Sequence, residues 1–174
     1  MAANIGSFKK GKSTEKYHSA DKTRQKKTGE KTNLKLICKE CHAIYNGKSW
    51  QAFAKTNAKV MDELRVSICP ACHEKIDHMS DGILHLSGTG MVKNKKEIKN
   101  LIENTAKREE ERDILNRVER IEDSTKEMTV YTTKNQLAVE IGKKIAAAHK
   151  GGNITIKWSK KDKPVEVHWH FDLK

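Results

Sequence analysis

Apolar residues are in short supply in this chain. Only 36% of its 174 residues are hydrophobic, while 33% are charged. That is too thin an apolar content for one large core, and small modules with a solvated tail fit it better. No apolar run approaches the roughly 20 residues that a membrane span needs. The opening stretch, MAANIGSFKKGKSTEK, has no apolar h-region and does not read as a secretory signal. The expectation is a cytoplasmic protein without a membrane partner, its thiols kept reduced.

Acidic residues are outnumbered, and the imbalance is local. The formal charge is +12. Residues 1–33 hold nine Lys/Arg against three Asp/Glu, and residues 128–174 hold nine against four. Between them, 34–92 is almost balanced at seven against six, and 93–127 is balanced at ten each. The positive field therefore sits at the two ends, which favours a polyanionic partner. The candidate contacts are Lys9, Lys10, Lys12, Arg24, Lys26 and Lys27 in the first segment, Lys48 in the second, and Lys157, His168 and His170 in the last.

Cysteine is also sparse. The four present all fall in two motifs, CKECH at 38–42 and CPACH at 69–73. Each matches a c-type haem attachment motif, and together they match the two halves of a tetrahedral zinc site. Covalent haem attachment normally needs export, of which the sequence gives no sign. A thioredoxin-type redox pair would use one such motif, not two. Zinc remains, held by Cys38, Cys41, Cys69 and Cys72. Two intervening residues let both sulfurs of a pair reach one ion from a tight turn. The 27 residues between the pairs exceed the commonest spacing, and a hairpin and helix are expected to fill them.

His42 and His73 follow the pairs where zinc ribbons often carry glycine. Each reads as an exposed ring at a knuckle tip, with substitution as a ligand or contact with a polyanion as the alternatives. Catalysis at the site is not expected, because four thiolates leave no open position for water. A His-Asn-His nuclease would need histidines between the pairs, and residues 43–68 contain none.

Around the motifs, LKLIC reads as a short strand and Asn46-Gly47 as a type I′ hairpin turn. Residues 51–65 read as a helix with Phe53, Val60, Met61 and Leu64 on one face, and Trp50 as core rather than a base-stacking platform. GILHLSG reads as a strand closing this part. Residues 93–123 read as one helix or two, broken near KREEERD. EMTVYT reads as a strand, TKNQ at 133–136 as a capping box, and Leu137, Ala138, Ile141, Ile145 and Ala148 as a helix face stopped by Gly151-Gly152. NITIKWS and VEVHWHFD alternate strictly and read as a hairpin with Ile154, Ile156, Trp158, Val165, Val167, Trp169 and Phe171 inward.

The expected fold is α+β: a zinc ribbon followed by a small α-β-α-β-β sandwich, with a disordered basic N-terminal tail. The divisions are a tail at 1–33, a zinc-ribbon module at 34–92, a connecting helical segment at 93–127 and a β-α-β-β module at 128–174. The last, burying its own apolar faces, is expected to fold without the metal. His168 and His170 share a strand face, but no third ligand lies nearby. With Lys157 they read as a basic β-face rather than a second metal site.

The two knuckles followed by DGILHLSG, EIKNLIEN and VYTTKNQLAVEIGKKI resemble a family of short bacterial zinc-ribbon proteins over residues 34–174. More distantly they resemble the N-terminal part of the eukaryotic export adaptor for the large ribosomal subunit and its archaeal relatives. The resemblance implies a zinc-bound, non-catalytic protein that contacts the large subunit. Residues and spacing alone give zinc and a polyanion. The leading expectation is binding to ribosomal RNA or the ribosome in assembly, quality control or dormancy. The alternatives are a DNA-binding regulator and a redox-sensitive zinc thiol switch.

Overall fold

The strand signals of the sequence separate into two sheets. A computed structural model of the chain describes residues 35–53, 64–158 and 164–173. The basic segment 1–33, with the disorder expected of it, lies outside them, as does most of the helix expected over 51–65. The described residues are mixed α+β, with four helices and nine strands among them.

The smaller sheet holds β1 (Leu36–Cys38), β2 (Ile44–Tyr45), β3 (Trp50–Gln51) and β4 (Arg65–Ser67), in the order β3-β2-β1-β4. Strand β4 runs parallel to β1, while β2 is antiparallel to both β1 and β3. Helix α1 (Pro70–Ile76) follows, with Pro70 in its first turn, where the missing N–H removes no intrahelical bond. The hairpin forms, but not through a two-residue type I′ turn. Residues 46–49 connect the strands, and Asn46 Oδ1 accepts from the N–H groups of Lys48 and Ser49 at 3.0 and 2.9 Å. This side-chain turn leaves Gly47, at φ +90°, as the one left-handed residue of the loop. At the two ends of the expected 51–65 helix, Gln51 belongs to β3 and Arg65 to β4.

The larger sheet holds β5 (Gly82–Ser87), β6 (Val118–Asp123), β7 (Glu127–Thr132), β8 (Asn153–Lys157) and β9 (Val165–His170), in the order β6-β7-β5-β9-β8. Strand β5, expected to close the cysteine-bearing module, is instead the centre of this sheet, antiparallel to β7 and parallel to β9. Strands β7 and β9 do not pair with each other. The segment 128–174 therefore cannot complete a sheet from its own strands.

Alternation sets the inner face. Leu84 and Leu86, Met128 and Val130, and Val165, Val167 and Trp169 are buried, against Ile98 and Ile102 of α3 (Lys95–Arg112) and Leu137, Ile141 and Ile145 of α4 (Asn135–Ala148). A short α2 (Thr89–Lys93) precedes α3. Gly142 lets α4 sit close on the sheet, since a Cβ there would lie 2.7 Å from Val167 Cγ1. Trp158, expected inward, is 63% exposed, and Ala148 is exposed at the helix end.

Two further expectations change. The second half of the helical segment is strand β6, with a register shift between Val118 and Arg120 against β7. In a regular strand, residues three apart face opposite sides. The bulge shifts that phase by one, so Val118 and Ile121 both pack on the core at a spacing that imitates a helix. The capping box is also absent: α4 begins at Asn135 with no side-chain cap. Thr133 instead donates its hydroxyl to the Leu115 carbonyl at 2.5 Å and accepts from the Arg117 N–H at 2.9 Å.

Candidate metal centre

The two cysteine pairs meet because β1 and β4 are parallel neighbours. Their register places Cys38 opposite Ser67, so the chain leaving β4 brings Cys69 beside the end of β1. Cys38 ends β1, and Cys41 follows in a turn closed by the His42 N–H to the Cys38 carbonyl at 2.9 Å. Cys69 immediately precedes α1, and Cys72 lies in its first turn. The four sulfurs lie within 4.8 Å of one another. Cys41 and Cys69 Sγ are 3.6 Å apart, close to the edge of about 3.8 Å that a tetrahedron with Zn–S bonds of about 2.3 Å requires. All four are free thiols. Cys38, Cys69 and Cys72 are buried and Cys41 is half-buried.

The electrostatics suit a thiolate cluster. Burial works to raise the Cys38 thiol, but N–H groups of Cys69, Cys41 and Glu40 outweigh it and bring the group down to about 7. The Cys69 N–H reaches Cys38 Sγ at 3.3 Å. Burial pushes Cys72 up to about 11, and it drives Cys69 well above the ordinary thiol range. Cys38 is thus prepared for ionisation, while Cys69 and Cys72 resist taking on negative charge. A bound cation removes that conflict, because metal binding expels the thiol protons. The four cysteines can hold a metal ion.

Neither histidine joins them. The group of metal-capable side chains among the described residues contains the four cysteines alone. His73 turns to Asp77 at 3.0 Å. His42 is exposed, and its backbone is left-handed at φ +59°, the conformation for which glycine is favoured at such a position.

Sequence reasoning missed Arg117. Its Nη1 lies 3.7 Å from Cys72 Sγ, and its Nε lies 3.0 Å from Glu110 Oε1 near the end of α3. Nothing in the sequence distinguishes it from the other arginines. A cavity of about 500 Å³ opens beside the centre, bordered by Cys41, Cys72, Arg117, Glu119 and His78.

The expected polyanion contacts are dispersed. Lys9, Lys10, Lys12, Arg24, Lys26 and Lys27 lie outside the described residues. Lys48 is exposed in the β2–β3 loop of the smaller sheet. Lys157, His168 and His170 share the outer face of the larger sheet, each beside a carboxylate. Lys157 Nζ and His168 Nε2 lie 4.0 and 3.3 Å from Glu166, and His170 Nε2 lies 2.9 Å from Asp172. His168 also stacks on His85, which the sequence did not single out, because their meeting depends on the β5–β9 register. Among the described residues, no helix is long and apolar enough to cross a membrane.

No family model, curated protein or solved structure matches this chain.

Proposed function

We propose that this chain is a non-catalytic zinc protein that binds ribosomal RNA, or the ribosome through its large subunit. The observation that carries the metal half is the convergence of Cys38, Cys41, Cys69 and Cys72 within 4.8 Å. Thiolate donors favour zinc in a cytoplasmic setting, and four of them close its coordination shell, leaving no site for an activated water.

The nucleic-acid half rests on charge and on the family resemblance. The excess of nine Lys/Arg over three Asp/Glu in residues 1–33 gives a cationic segment whose phosphate contacts release counterions. Glu166 and Asp172 lower the positive potential of the Lys157, His168 and His170 face, so most of the affinity is assigned to the N-terminal segment and the cysteine-bearing sheet. RNA recognition by shape needs no base-reading helix.

The test is co-sedimentation of purified protein with ribosomal subunits, with and without ribonuclease, alongside metal analysis of the reduced protein. Zinc at one per chain and ribonuclease-sensitive recovery with the large subunit support the reading. Haem iron or no metal refutes the first half; absence from the large-subunit fraction at low salt refutes the second.

A thiol switch is the reading that one further observation favours. Cys41 is the half-buried member of the set, and its sulfur lies 3.6 Å from Cys69 Sγ. Rapid zinc release under mild peroxide would favour it, since a purely structural centre resists.

A further inference from the structure

A divalent cation held by four thiolates carries a net double negative charge in a largely buried place, and such a charge needs a counter-charge nearby. In this chain a specific side chain supplies one. Arg117 is mostly buried, with 19% of its side chain exposed, and it stands in the connection from α3, immediately before β6 of the larger sheet, rather than in either knuckle. Its Nη1 points to Cys72 Sγ at 3.7 Å, while its Nε lies against Glu110 Oε1 at 3.0 Å. The backbone at this position is held from both sides: the Arg117 N–H donates to Thr133 Oγ1 at 2.9 Å, and the Arg117 carbonyl accepts from the Thr133 N–H at 3.0 Å. Ile114 and Leu115, just upstream, pack against the cysteine cluster.

We infer that Arg117 is the counter-charge of the metal–thiolate centre, positioned by the larger sheet, so that metal retention depends on that sheet as well as on the four ligands. The guanidinium withdraws charge from the sulfur of Cys72 without displacing it from the metal, and Glu110 shares that positive charge. Arg117 is therefore a positioning and charge-balancing residue outside the ligand set. The inference rests on the zinc reading above.

The experiment uses full-length protein loaded with zinc or cobalt(II). Zinc transfer to excess chromophoric chelator should be about tenfold faster in Arg117→Gln, the lower range for loss of a partner just outside a metal's ligands. It should return to within about threefold of wild type in Arg117→Lys, which keeps the charge. In the cobalt(II) form, the sulfur-to-metal charge-transfer bands should move to longer wavelength in Arg117→Gln, because sulfur electrons are less stabilised without the cation, and move back in Arg117→Lys. Glu110→Gln leaves Arg117 in place and places little demand on folding; its bands should move to shorter wavelength.

Wild-type release rates in Arg117→Gln overturn the inference, as do Arg117→Lys bands as displaced as those of Arg117→Gln. If Arg117→Gln does not fold, judged by amide protection at Val130 and Val167, Glu110→Gln decides: unmoved bands overturn the inference. Wild-type protein that takes up neither metal refutes the zinc reading itself, and the role of Arg117 falls with it.

Discussion

His85 and His168, paired across the parallel strands β5 and β9, stack with ring centroids 4.8 Å apart and planes at 17°. Both lie on the outer face of the larger sheet, with Thr129 Oγ1 at 3.5 Å from His85 Nδ1 and Glu166 at 3.3 Å from His168. Burial, and then the charge of His168, hold the His85 imidazole below its ordinary value, with Lys157 acting the same way and Glu166 and Glu127 opposing. The folded state therefore resists protonating a ring that the unfolded chain protonates near pH 6.5. The stabilisation is complete above that pH and is lost as pH falls from about 6.5 towards the lowered folded value. His85→Gln should flatten this part of the profile, and only modestly, because solvent screens a half-exposed pair. Urea unfolding of wild type and variant at pH 7.5 and 5.5 measures it. Parallel losses in both proteins would remove His85 as the cause.

The metal should dominate the stability of the smaller sheet. Its strands are two or three residues long, too short to hold together without a cross-link. Cys41→Ser removes one of the four clustered thiols. If the roughly 10–16 kcal/mol of a structural zinc site is shared equally, zinc binding weakens by about 3 kcal/mol, on the order of a hundredfold. Amide protection at Ile37 and Val66 should disappear with it. Protection at Val130 and Val167, in the larger sheet, should fall less. Competition with a chelator gives the affinity, and hydrogen exchange gives the two sheets separately.

That division departs from the one the sequence suggested, and the reason is topological. The alternation of β8 and β9, the face of α4 and the knuckle pairs are local patterns, and each was legible. What could not be read was that β5, 40 residues before β7 begins, inserts between β7 and β9. Strand order is fixed by long-range pairing that leaves no local trace. Strand β6 was read as helix because its bulge brings Val118 and Ile121 to one face at a spacing of three. Thr133 has the composition of a cap, yet it is used to pin residues 115–117 beside α4. The convergence of the four cysteines was legible from their spacing, whereas the place of Arg117 was not, because its approach to Cys72 exists only after the two sheets have met.

A peptide of residues 128–174 should accordingly fail to fold. It lacks β5, which carries Leu84 and Leu86 and separates β7 from β9. A fragment spanning residues 79–174 restores all five strands and should show a cooperative thermal transition with zinc absent. Circular dichroism on the two fragments tests this, and a cooperative transition in the shorter one would contradict the observed strand order.

His42 should be improvable. A side chain in the left-handed region costs an L-residue roughly 1–2 kcal/mol, partly repaid in the unfolded state when glycine replaces it. His42 sits there at φ +59°, exposed and outside the cysteine cluster. His42→Gly should raise the stability of the zinc-loaded protein by about 0.5 kcal/mol without changing metal stoichiometry. Chemical denaturation with zinc quantified alongside is the measurement. Loss of bound zinc in the variant would make His42 a ligand after all.

The N-terminal segment should govern the salt dependence of polyanion binding. Residues 1–33 contribute nine of the 35 Lys/Arg and only three of the 23 Asp/Glu. On the outer sheet face the three expected contacts stand beside Glu166 and Asp172, which hold part of their charge in place. Counterion release scales with the number of phosphates neutralised, at about 0.9 per contact on duplex and 0.7 on single strands. If five phosphate contacts are lost when residues 1–33 are deleted, the slope of log K against log salt should fall by roughly 4. The choice among RNAs should change less than the affinity, because phosphate contacts carry no sequence information. Co-sedimentation with large subunits between about 50 and 200 mM salt, full-length against truncated, reads the slope directly. Equal slopes for the two proteins would assign the affinity to Lys48 and the outer sheet face instead.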